Sequence, residues 1–463
     1  MKKELRLFDL TMIVVGFVIG MGIFRTPVNV AAASPTPALF YACWLAGGLV
    51  ALCGALTYAE IGSRMPVTGG YYKVFAYAYH PSIAFAINCI ILVSNAASLG
   101  AVALVGSEYI VGVLLPTSTN ADFLKIPTNV TEVKSLHLIV AIVCIILFYL
   151  INLLGLKMSS KAQNILMLIK IGLVILLILP LFFVGDTISA NNSASFTQNI
   201  SPGLMEYIKA FGVGLVAVNF TFGGYQQTIN FGEEVQNPGR NIPRGIFLAI
   251  TLIIVLYMLV NIAYVKVIGF EELKTSKNIA AVMAAKIFGP KADVILSVLL
   301  FFGVLAYING SLLSNPRVMY AMGKDHILPQ SFTKQNKNGA LVLSLSLFAA
   351  ISILVIFWAE EFDRILSFTI FLDCFGMALS AAGIFILRKR AAAQQEDKTA
   401  YKMKLYPLLP IVFIVNYVFV AIAIAADYEN NDYAAVKGIV VLTVFLIIYF
   451  LFYQNKEREK DSY

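Results

Sequence analysis

The feature that most limits the fold is the run of apolar residues without a polar break, as in IVAIVCIILFYLI at 139–151 and IVVLTVFLIIYFLF at 439–452. A stretch of about 20 such residues spans a bilayer as a helix, which keeps its backbone hydrogen bonds inside itself. Membrane β-barrels need short alternating segments instead, so helices are predicted. Only 13% of the 463 residues are charged, against 59% hydrophobic. Soluble domains carry about a quarter charged residues. Nucleic-acid binding, disorder and an ordinary soluble enzyme are excluded on that ground.

Hydropathy predicts twelve spans, at about 9–33, 38–63, 82–115, 136–154, 160–184, 205–231, 244–268, 292–322, 341–358, 362–387, 406–426 and 434–453. The basic start before the first span resembles a signal peptide, but Arg25 and Pro27 follow it without a small-x-small cleavage site, so a retained helix is expected. An even count puts both termini on one side. Lys2, Lys3, Arg6, Arg388, Lys389, Arg390, Lys456, Arg458 and Lys460 fall there, and Lys125, Lys134, Lys274 and Lys277 fall opposite. The positive-inside rule makes the first side cytoplasmic, and it absorbs the net charge of +8. A bacterial inner or plasma membrane is the expected location.

Cys43, Cys53, Cys89, Cys144 and Cys374 all lie in apolar runs without metal-like spacing. His80, His137 and His326 form no cluster, and no phosphate-binding loop or nucleophile elbow occurs. No cofactor, metal, catalytic residue or nucleic-acid partner is expected. The partners are the lipid bilayer and a small solute, and the oligomeric state is not readable.

Two spans carry a glycine break at mid-depth: Gly20-Met21-Gly22 in the first, and Gly223-Gly224 followed by Tyr225, Gln226, Gln227 and Thr228 in the sixth. Open backbone at that depth is tolerated only against protein or a water-filled cavity. Breaks in corresponding spans of two halves point to a transporter site. A helix N-terminus there favours an anionic group and a helix C-terminus a cation. A zwitterion with a carboxylate and an ammonium on one carbon satisfies both.

The strings GFVIGMGIFRTP, SRMPVTGGYY, FTFGGYQQTINFGEEVQNPGRNIPRG and NGSLLSNPRVMYAMGKDHILP resemble the amino acid-polyamine-organocation superfamily, nearest its L-type amino acid permeases. The resemblance implies an all-α membrane fold of the LeuT type. It has a 5+5 inverted repeat over residues 1–390, with spans 1–5 at about 9–184 and spans 6–10 at about 205–387. Helices 1 and 6 are then unwound at mid-membrane, and residues 391–463 add spans 11 and 12 and a cytoplasmic tail. It implies secondary transport of amino acids by alternating access, through sodium-independent exchange or proton symport. The absence of an acid inside the two breaks favours neutral substrates over a cationic amino acid or polyamine. A channel or a membrane enzyme is the remaining alternative.

The same resemblance places substrate-binding groups at Val18, Ile19, Gly20, Met21, Gly22 and Ile23, whose amides hold the carboxylate, with Met21 where relatives have a small residue. It places an aromatic gate at Phe220 and ammonium-binding carbonyls at Thr221, Phe222 and Gly223, with Gln226 in the distal pocket. In relatives that work without sodium, a span-five lysine fills the sodium volume beside the first break. Lys161 is assigned to it, and Lys157 and Lys170 are read as interfacial. Arg25, Glu108 and Asp373 are intramembrane charges of open role, and Glu60 and Glu233-Glu234 are candidates for inner ion pairs with Arg64 and Arg240.

Overall fold

The structure is a computed structural model, and it describes residues 3–20, 22–114, 130–183, 203–276, 279–289, 292–358, 362–394, 400–426 and 433–452. The helices run in chain order: α1 (Leu7–Val18), α2 (Gly22–Ala33), α3 (Pro37–Arg64), α4 (Gly70–Ala78), α5 (Pro81–Leu114), α6 (Val130–Leu153), α7 (Leu156–Ile178) and α8 (Leu204–Phe222). They continue as α9 (Pro238–Ile268), α10 (Ile279–Phe288), α11 (Ala292–Lys324), α12 (Val342–Trp358), α13 (Phe362–Gln394), α14 (Leu408–Ala426) and α15 (Ala434–Phe452). Among the described residues there is no β-sheet, only two isolated bridges, Leu5 with Val235 and Thr68 with Phe231.

Among the described residues, nine helices are long and apolar enough to cross a membrane, or ten if the pair α1 and α2, bent by 40°, counts as one span. Val342–Phe357 and Ala435–Leu451 are shorter apolar helices. The outer surface supports the same reading. On α6, Ile139, Val143, Ile146 and Leu150 are all exposed and recur at helical spacing. A soluble protein rarely shows such a continuous apolar face, whereas lipid tails cover it at no cost.

Inside, α3 packs on α9, α5 on α11, and α1 on both α9 and α7, so the first helix is surrounded by protein. Many polar side chains in these contacts bond to their own helix or a neighbour. Asn88 donates to the Ala84 carbonyl and Ser352 to that of Phe348. Asn152 donates to Asn309, which donates in turn to Gln163 and to the Ser159 carbonyl, stitching α6, α7 and α11. In a medium without water an unpaired polar group is costly, which is why these groups come in sets.

The start of the chain is tied to the stretch after the second glycine break. The amides of Glu4 and Leu5 both donate to the Glu234 carbonyl at 2.9 Å, and Gln236 returns a bond to Leu5. Beside that tie, Arg317 grips the Glu234 carboxylate with two bonds of 2.6 and 2.9 Å and stacks on Phe231. Glu234 therefore pairs with α11, not with the expected Arg240. Glu60 does pair with Arg64, at 2.8 Å, but its carboxylate also takes two bonds from Arg388 on α13 and one from the Met403 amide.

Candidate functional site

Both glycine stretches end a helix. The α1 ladder stops at Val18; Ile19 leaves helical geometry with ψ 81, and helix resumes at Gly22. The α8 ladder stops at Phe222; Gly223 is extended, Gly224 has φ +109, and a 3-10 turn follows over Tyr225–Asn230. The left-handed φ of Gly224 is open to glycine and strained for other residues. A Cβ there would also lie 2.7 Å from the Phe17 carbonyl, so this position brings the second break against the first helix. Gly22 does the same from the other side, because a Cβ on it would meet Thr221 at 2.8 Å.

Ending helices frees backbone groups. The last carbonyls of α1 and α8, and the first amides of α2, have no partner within their own helices. Side chains from outside take up three of the carbonyls. Tyr257 on α9 donates to Val18 at 2.9 Å and approaches the Thr221 carbonyl at 3.5 Å, so one hydroxyl bridges both breaks. Lys170 on α7 donates from its Nζ to the Ile19 carbonyl. Its side chain is fully buried, and its Cε lies where Gly303 of α11 leaves room.

Between the breaks lies a cavity of about 80 Å³. Counting about 10–15 Å³ per water, it holds the equivalent of roughly five to eight waters, the size of a small amino acid. Val18, Gly20, Gly22, Phe220, Thr221, Gly223 and Gln226 line it, all expected from the sequence. So do Asn95 and Ser98 of α5, Asn219, Tyr307 of α11, Asp373 and Met377 of α13, and Tyr417 of α14. Asp373 accepts a bond from Ser94 at 3.2 Å. Gln226 turns back to cap the Gly224 amide at 2.9 Å, and Gln227 reaches Asn95, which bonds Asn315.

Several expected residues stand elsewhere. Ile19, Ile23 and Phe222 are buried in the core and do not line the cavity. Phe222 packs between Trp44 and Tyr257, with ring centroids at 6.2 and 5.1 Å. Met21 lies outside the described residues. Glu108 is exposed and Arg25 half-buried. Lys161, assigned to the first break, is exposed on the outside of α7, and Lys170 stands where it was expected.

The helical period carried the missing signal. Gln163, Met167, Lys170, Val174 and Leu177 form one buried stripe of α7, whereas Met158, Lys161, Ile165 and Leu168 form the exposed one. Nine residues at about 100° each separate the two lysines by half a turn. Asn95, Ser98 and Tyr307 carried no such signal, because polar residues on a buried helix mark a cavity only once the neighbours are known.

A bundle of apolar helices around a small cavity of mixed polar and apolar lining, bounded by two helix breaks, defines a multi-pass membrane protein. The chain belongs to the amino acid permease family: residues 5–453 match the family described as "Amino acid permease". It is similar to the "Serine/threonine exchanger SteT" of Bacillus subtilis, 27% identical over 91% of this chain and 90% of that one. It is also similar to the human "Large neutral amino acids transporter small subunit 2", at 24% over 99% of this chain and 82% of that one. The mouse "b(0,+)-type amino acid transporter 1" is 24% identical over 98% and 89%. The protein is a transporter of amino acids and not an enzyme.

Proposed function

We propose that the protein is a secondary transporter of small neutral amino acids, working by alternating access without sodium. The observation that carries this reading is the cavity between Gly20–Gly22 and Phe220–Gly224, with a helix N-terminus on one wall and a helix C-terminus on the other. The α2 amides attract the substrate carboxylate and the α8 carbonyls its ammonium, each helped by the partial charge of a helix end. Phe220 closes the cavity from the side. The small volume favours short side chains, as does the relative named for serine and threonine, whereas the relative named for large neutral amino acids supports neutral cargo without favouring a short side chain.

In this reading the nine long helices, the bent pair and the two shorter apolar helices make twelve spans, with both termini cytoplasmic in a plasma or inner membrane. Spans 1 to 5 and 6 to 10 form inverted repeats, and spans 1, 2, 6 and 7 rock against the others. Lys170 takes the part first assigned to Lys161. Its ammonium occupies the place beside the Ile19 carbonyl where a cation would sit, so sodium has no room. Coupling is then by exchange or by protons.

Asp373 favours a second reading. It puts a carboxyl in the cavity wall, outside the breaks, where a cationic amino acid or polyamine would find a partner. Proteoliposomes separate the two. Labelled serine is expected to enter with sodium or choline outside, and alanine to compete better than lysine or a polyamine. Uptake that collapses without sodium overturns the sodium-independent mechanism, and competition led by lysine establishes the cationic reading.

A further inference from the structure

A second cavity, of about 400 Å³, lies away from the breaks, where the N-terminal end of α1 meets that of α7. Arg6, Lys157 and Lys161 line it, and all three are exposed. Two acids share the lining. Asp9 is engaged, accepting from the Arg6 amide at 3.1 Å and from Asn164 at 2.8 Å, whereas Glu4 is exposed to water. The three cations outnumber the two acids, and one of those acids is held inside the fold.

Ser160 forms part of the same lining, 6% exposed, and its hydroxyl has no hydrogen-bond partner among the described residues. Buried hydroxyls are nearly always paired, so this one is suited to a group brought from outside. The end of α7 adds to the attraction. Its N-cap is Gly155, without a side-chain cap, so the first-turn amides and the positive end of the helix are open to an anion.

The surroundings identify the source of that anion. Lys161 lies between Met158 (48% exposed), Ile165 (61%) and Leu168 (58%) on the outer stripe of α7, and Phe8 is 54% exposed at the mouth. A soluble anion needs no such apolar flank, whereas a phospholipid presents its phosphate at this level and lays its chains along the stripe. We propose that the cleft between α1 and α7 binds the headgroup phosphate of an anionic phospholipid, held by Lys157, Lys161, Arg6 and the Ser160 hydroxyl.

The test uses the full-length protein in nanodiscs of phosphatidylcholine, alone or mixed with phosphatidylglycerol. Retained lipid is read by native mass spectrometry and stability by melting temperature. Wild type is expected to retain phosphatidylglycerol and to melt higher in its presence. Lys157→Gln with Lys161→Gln should lower that preference by about 25-fold, taking about fivefold for each basic side chain at a membrane surface. Ser160→Ala should weaken it less, and Lys161→Arg should keep it. Both lysines are exposed, so the double variant should fold, as an unchanged melting temperature in phosphatidylcholine would verify. Wild-type preference in that folded variant overturns the proposal. Equal stabilisation of wild type by inorganic phosphate overturns the lipid assignment in favour of a soluble anion.

Discussion

Lysines on one helix divide here according to the face they occupy. Lys161 reaches the bilayer side, whereas Lys170 is buried with its ammonium on a freed carbonyl, one of a few contacts that hold the end of α1 in place. Replacing Lys170 by Met keeps the volume and leaves the Ile19 carbonyl without its donor. An unsatisfied buried group costs about 1–3 kcal/mol, so amino acid uptake into proteoliposomes should fall roughly five- to 150-fold. Lys161→Gln should leave uptake within about twofold, since exposed substitutions rarely matter by more than about 0.5 kcal/mol. Equal effects of the two would refute the assignment to Lys170.

Elements meet closely only where side chains are missing. The bent pair α1 and α2 touches the end of α8 through Gly22, where an added methyl would lie 2.8 Å from the Thr221 hydroxyl oxygen and 3.0 Å from its Cα. Gly20, two residues earlier, has nothing nearer than Tyr307 at 3.9 Å. Gly22→Ala should therefore destabilise by about 1–3 kcal/mol, as overpacking does, and lower the melting temperature in detergent. Gly20→Ala should change it little, while narrowing the cavity it lines. Both glycines were visible in the sequence as a break. Their different duties were not, because a clash depends on which element lies opposite.

At the scale of the whole molecule, a buried carboxylate draws several parts together. Glu60 of α3 is fully buried and gathers Arg64, Arg388 of α13 and the Met403 amide of the segment leading into α14. Glu60→Ala would leave two arginines, 8% and 22% exposed, without their anion, which costs about 3–5 kcal/mol. Lys73→Ala breaks the more exposed pair with Asp325 and should cost no more than about 1 kcal/mol. Melting curves of the two variants check the order, and a larger loss for Lys73→Ala would contradict it. The apolar runs alone determined that the chain crosses a membrane as helices, because unbroken runs without the alternation of barrel strands satisfy their backbone in lipid only by bonding within the segment. The glycine stretches at 20–22 and 223–224 marked where two of those helices stop, although Gly47-Gly48 lies inside an unbroken α3, so glycine permits a break without imposing one. Which groups then meet at the stops was decided by tertiary packing. Tyr257, Lys170, Asn95 and Asp373 come from four different helices, and nothing in a helix's own period says which neighbour its polar face will find.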